Sequence, residues 1–125
     1  MTRYEKGMEL INKLHGHHTG GKILEATREV APDLLQFVAE FAMADIFNRP
    51  HLDHKTREFI IIAIMVTLGT LPQLKAHIQS AFECGATKEE LSEVLLQTIP
   101  ISGFPLASNA LMVLKEVLEE RASKN

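Results

Sequence analysis

Apolar residues recur at helical spacing along most of the chain, and no pair of alternating segments offers two strands to each other. Met8, Ile11 and Leu14 set one face of a short helix over residues 1–14. The run His15-Gly16-His17-His18-Thr19-Gly20-Gly21 then reads as a loop, because its glycines interrupt the pattern. From Pro32, a good first helical residue, Leu34, Phe37, Val38, Phe41 and Ala42 form a stripe that stops at Asn48-Arg49-Pro50, which predicts a helix over 32–48.

Asp53 is placed to cap the next segment, which passes Arg57 and Glu58 into the apolar run Phe59 to Leu68 and ends at Gly69. The β-branched content of this run also suits a buried strand. Helix is the better assignment, since nothing else pairs with a strand and a run apolar on all sides fits the centre of a bundle. Thr70 is placed to cap a helix over 71–84 that tolerates Pro72 in its first turn and closes at Gly85, so the two helices form a hairpin with almost no loop. Thr87 and Glu90 have capping-box spacing, and Leu91, Val94, Leu95 and Thr98 continue one face as far as Pro100. Pro105 opens a last helix with the stripe Leu106, Ala110, Val113, Leu114, Val117 and Leu118, before a polar tail from Arg121 to Asn125. The expected fold is all-α, a single-domain bundle of about six helices over residues 1–125.

The 125 residues carry 13 Lys and Arg, scattered, with a formal charge of −3, which argues against a nucleic-acid partner. The run Phe59 to Leu68 is about half of the ~20 residues a bilayer requires, and Met1 to Gly7 holds no apolar signal stretch, so no membrane association is expected. The one cysteine, Cys84, forms no intrachain disulfide and suits a reducing cytoplasm. A domain of this size buries about two thirds of its unfolded surface, which leaves apolar area for a homo-oligomer.

His77 shares a stripe with Leu74, Ile78 and Ala81, so its ring faces inward, as a core histidine satisfied by a carbonyl or as a working group. Glu58 is the candidate partner. In a hairpin folded at Gly69 a rise of ~1.5 Å per residue puts Glu58 ~16 Å and His77 ~12 Å from the turn. Such a pair suits general acid/base work; for Glu58 an acidic residue favoured at a helix N-terminus is the alternative. Arg57 and Arg49 are candidates to clamp a substrate carboxylate, or are solvated charges. His15, His17 and His18 carry only a weak metal signal, with no spaced cysteine or carboxylate, so no metal is expected. Cys84 stands at the negative end of a helix dipole, which disfavours its thiolate.

Arg49-Pro50-His51-Leu52, Thr56-Arg57, Ile62 to Gly69, Leu74-Lys75-Ala76-His77, Glu93 to Thr98 and Gly103 to Ala107 together resemble the carboxymuconolactone decarboxylase family over about residues 35–119. The broader superfamily includes alkylhydroperoxidase D, whose motif is Glu, eleven residues, Cys, two residues, Cys, three residues, His. Glu58 and His77 keep that spacing, with Thr70 and Gln73 at the thiol positions, and peroxidase chemistry needs both thiols. The resemblance implies an alkylhydroperoxidase D-like fold and decarboxylation, without a cofactor, of 4-carboxymuconolactone or a related lactone or carboxylate in aromatic-compound degradation. It implies that His77 supplies a proton, Glu58 orients it, and Arg57 or Arg49 holds the retained carboxylate. It also implies a hexamer or trimer. An alkylhydroperoxidase D-like oxidoreductase and a non-catalytic helical oligomer are the alternatives.

Overall fold

The computed structural model describes residues 1–124; the last residue of the predicted polar tail, Asn125, lies outside them. The described residues are all-α: α1 (Arg3–His15), α2 (Thr19–Arg28), α3 (Asp33–Phe37) running on as a π-helical segment (Val38–Phe47), α4 (His54–Leu68), α5 (Leu71–Glu83), α6 (Lys88–Gln97), α7 (Ile99–Ser102) and α8 (Phe104–Ser123). None of them is long and apolar enough to cross a membrane.

Two apolar clusters make the interior. Ile62, Val66, Leu74, Ile78, Leu91, Leu95, Ala110 and Leu114 join α4, α5, α6 and α8. Ile11, Leu14, Ala39, Met43 and Phe47 join α1 to the π-helical segment. The local signals that end and start the helices work as the sequence implies. Asp53 accepts from the Thr56 N–H at 2.7 Å, and Gly69 closes α4 in the left-handed region at φ 72°, with its N–H on the Met65 carbonyl at 2.9 Å. Thr87 and Glu90 complete a capping box, each side chain accepting from the other's backbone N–H at 3.0 Å.

Several expectations are corrected. The predicted loop over 15–21 shrinks to the turn Gly16–His18: α1 continues through His15, and α2 starts at Thr19, whose N–H donates to Gln79 Oε1 at 2.9 Å. Gly20 and Gly21 serve close packing inside α2 rather than chain reversal, for a Cβ on Gly20 would lie 2.3 Å from the His15 ring. Helices α2 and α7 therefore add to the predicted six. The 32–48 helix exists but buries a different face, Ala39, Met43 and Phe47, and leaves Phe37 and Phe41 exposed. Its second half is wound as a π-helix, the last N–H, of Asn48, reaching five residues back to Met43. Helix α4 is not apolar-buried all round: Glu58, Ile62 and Val66 face inward while Ile60, Ile64 and Leu68 face out. Thr70 makes no side-chain cap on α5. The predicted tail from Arg121 is helical through Ser123, and Arg121 lies 3.9 Å over the Phe82 ring.

Helix α1 reaches the π-helical segment through Gly7, where a Cβ would lie 1.8 Å from the Ala39 carbonyl oxygen. Backbone cannot give way as a flexible side-chain tip does. We expect Gly7→Ala to destabilise the fold by about 3 kcal/mol or more, against about 1 kcal/mol for removal of the Thr87 cap in Thr87→Ala. Denaturant melts of the two variants check this, and a Gly7→Ala midpoint above that of Thr87→Ala contradicts it.

Candidate active site

Glu58, Ile62 and Val66 recur at intervals of four, so the inward stripe of α4 opens with a carboxylate and continues in hydrocarbon. Glu58 is 1% exposed. A lone charge so placed is costly unless it is matched, and α5 supplies the match: His77 Nδ1 lies 3.0 Å from Glu58 Oε2. The hairpin closed at Gly69 thus brings the two predicted residues together at the expected depth. His77 sits beside the buried Leu74 and Ile78, with part of its ring still accessible.

A cavity of about 320 Å³ opens beside this pair, walled by Ile11, Leu24, Met43, Phe47 and Ile61 with Gln73 as a polar neighbour. His15, the last residue of α1, which the sequence offered only as part of a weak metal signal with His17 and His18, belongs to the site. It lines the same cavity and meets the His77 ring edge-on at 5.5 Å between centroids. Burial, then the proximity of His77 and His18, pushes its pKa down to about 4, so the ring is neutral at pH 7. One signal was present: Gly7, Ile11, Leu14 and His15 fall at i, i+4, i+7 and i+8, the buried face of a helix one residue longer than the glycines suggested. The other histidines of the run part from it. His17 is exposed, and His18 pairs with Glu83 at 2.9 Å. Ligand-type atoms of His15, Glu58 and His77 lie within 4.8 Å of one another, so these are the residues able to hold a metal.

Neither predicted arginine lines the cavity. Arg57 spends Nε on the Leu52 carbonyl at 3.1 Å and Nη2 on the Arg49 and Pro50 carbonyls at 3.0 and 3.1 Å. It thereby braces the turn in which His51 takes φ 83°, a left-handed conformation unusual for a side-chain-bearing residue. Arg49 is exposed. Cys84 lies in a separate cavity with Lys13, Asp53 and His54. Burial raises its pKa to about 11, with the Glu58 charge adding to the effect. Of the two positions matching the peroxidase thiols, Gln73 faces the site cavity and Thr70 contacts Met65 Sδ.

The sequence model of the Carboxymuconolactone decarboxylase family matches residues 32–116. A 4-carboxymuconolactone decarboxylase of Acinetobacter baylyi is 30% identical over 94% of this chain and 88% of its own length. An uncharacterized protein of Methanocaldococcus jannaschii is 29% identical over 78% of the chain and 93% of its own length. A nitrosuccinic acid decarboxylase of Metarhizium robertsii is 24% identical over 71% of the chain and 62% of its own length. The family match begins after α1 and α2, so it includes Glu58 and His77 but not His15.

The environment of Cys84 sets its reactivity. With a pKa of about 11, its alkylation by iodoacetamide should rise tenfold per pH unit from neutrality until about pH 11. At pH 7 it should run roughly two orders of magnitude or more below a free cysteine of pKa ~8.5. A rate that levels off between pH 8 and 9 contradicts the burial argument.

Proposed function

The chain belongs to the carboxymuconolactone decarboxylase family, and from that premise we propose that it decarboxylates 4-carboxymuconolactone, or a related small lactone or carboxylate, without a cofactor. From 4-carboxymuconolactone the products are 3-oxoadipate enol-lactone and carbon dioxide. The observation that carries the reading is the Glu58–His77 hydrogen bond of 3.0 Å at the wall of a largely apolar cavity.

When the bond to the departing carboxylate breaks, its electron pair stays on carbon and delocalises into the lactone carbonyl as an enolate. The ring double bond shifts with it, and the carbon next to the lactone carbonyl takes one proton, which gives the enol-lactone. With Nδ1–H donating to Glu58, the imidazolium of His77 presents its Nε2 proton for this transfer, and Glu58 orients the ring and balances its charge. The apolar wall favours the step as well, because a localised carboxylate is poorly solvated there while neutral carbon dioxide is not. Neither arginine lines the cavity within one chain, so the retained carboxylate falls to Arg49 or Arg57 of a neighbouring copy. Arg49 has its whole guanidinium free of intramolecular hydrogen bonds among the described residues, whereas Arg57 has only Nη1 left.

The reading extends to assembly. Phe41 is 62% and Leu68 67% exposed in the single chain, and Phe37, Ile60, Ile64 and Phe104 are exposed too. Side chains of this kind favour burial against further copies, so the working form is a homo-oligomer, a hexamer or a trimer. Sedimentation at micromolar concentration should show no 14 kDa species; a monomer there overturns this part of the reading.

Loss of ultraviolet absorbance on addition of 4-carboxymuconolactone, with nitrosuccinate as a second substrate, tests the activity. His77→Ala should lower kcat by ~10²–10⁴-fold with the oligomer still folded, and Glu58→Gln should lower it less. Arg49→Ala or Arg57→Ala should act chiefly on KM. Unchanged kcat in a folded His77→Ala variant of lowered melting temperature makes His77 a core residue and ends the catalytic assignment.

A further inference from the structure

Decarboxylation through His77 and Glu58 gives no task to His15, and the fold treats His15 as if it had one. The ring is 7% exposed, and its buried Nδ1 has no hydrogen-bond partner among the described residues. Leaving such a group unpaired costs on the order of 1–3 kcal/mol, which a leucine or methionine in its place would avoid. Gly20 makes room for the imidazole, since a Cβ there would lie 2.3 Å from Nδ1. The helix start that follows His15 thus accommodates a polar ring, one ligand atom of which lies within 4.8 Å of those of Glu58 and His77.

We infer that His15, Glu58 and His77 form a binding site for one divalent transition ion of the zinc class. Two imidazoles and one carboxylate are the donor set that zinc and its first-row neighbours accept, with water or a ligand oxygen at the open position. The open side here is the cavity of about 320 Å³. The ligand atoms lie within 4.8 Å of one another, and the Nδ1–Oε2 separation in the Glu58–His77 pair is already 3.0 Å. A tetrahedral site with bonds of ~2.0–2.1 Å has edges of about 3.4 Å, so small side-chain rotations close the set. The carboxylate of Glu58 offsets part of the ion's charge. Coordination through His77 Nδ1 displaces the proton that Nδ1 donates to Glu58. The metal-bound chain is therefore a form in which the His77–Glu58 relay is closed, and the site exists whether or not the decarboxylation reading holds.

Tag-free protein, stripped with chelator and titrated with CoCl2, tests the inference without reference to activity. The expected result is one Co2+ per chain with the intense visible absorption of low-coordinate cobalt, displaced by one equivalent of Zn2+. His15→Asn and Glu58→Gln should each weaken binding at least tenfold, while His17→Ala leaves it unchanged. Circular dichroism checks that the variants are folded. In the wild-type chain the ring resonances of His15 and His77 should shift on zinc addition while that of His17 does not, so the test survives an unstable variant. Absence of the cobalt band, its persistence in folded His15→Asn and Glu58→Gln, or its loss in His17→Ala overturns the site. Cobalt binding with no turnover by the chelator-stripped chain leaves the metal site standing and removes the decarboxylase reading; turnover by the stripped chain without cobalt binding does the reverse.

Discussion

Glu58 places a carboxylate where only 1% of the residue meets solvent, and a single hydrogen bond from α5 answers it. An unmatched charge at that depth costs several kcal/mol, so the register of α4 against α5 is held by chemistry as well as by packing. The left-handed Gly69 sets the turn, the stripes Glu58–Ile62–Val66 and Leu74–Ile78–Ala81 set the faces, and the carboxylate–imidazole contact selects the depth at which they meet. Around that contact the remaining helices are walls. Helix α1 and the π-helical segment close one side, and α2 lies over the His15 ring.

The second cluster is built by contact distance rather than by side-chain volume. Gly7 and Gly20 let α1 meet the π-helical segment and α2 meet α1 at separations that a Cβ forbids. The π winding brings Ala39, Met43 and Phe47 onto one line facing α1, and it turns Phe37 and Phe41 outward. Long-range ion pairs tie the outer helices down, Arg3 to Asp45 at 2.6 Å and Lys75 to Glu116 and Glu120 at 2.8 and 2.7 Å. The first is solvent-exposed and contributes little. The same lining that makes the cavity apolar suits it to a small substrate that loses charge as it reacts.

The pair Glu58 and His77 was legible because both sit on apolar stripes of two helices joined only by Gly69 and Thr70, a local arrangement that fixes their relative depth. Arg57 was legible as a residue near the site but not in its use. A guanidinium next to Glu58 in sequence points away from the cavity and holds the 49–52 backbone, an orientation that depends on where the loop carbonyls fall. His15 was hidden by the glycines that follow it. Read locally they mean a turn, and only the close approach of α2 to α1 shows that they are there for packing.

Helical class, most helix limits, the capping of α4 and α6 and the Glu58–His77 meeting are set by spacing within some twenty residues, and the amino-acid sequence alone determined them. Whether an apolar face turns inward or outward depends instead on neighbours far along the chain. That is why the π winding of Val38–Phe47, the outward Ile60, Ile64 and Leu68, and the entry of His15 into the cavity were decided by the tertiary structure. Periodicity records that a face is apolar; it does not record which surface comes to cover it.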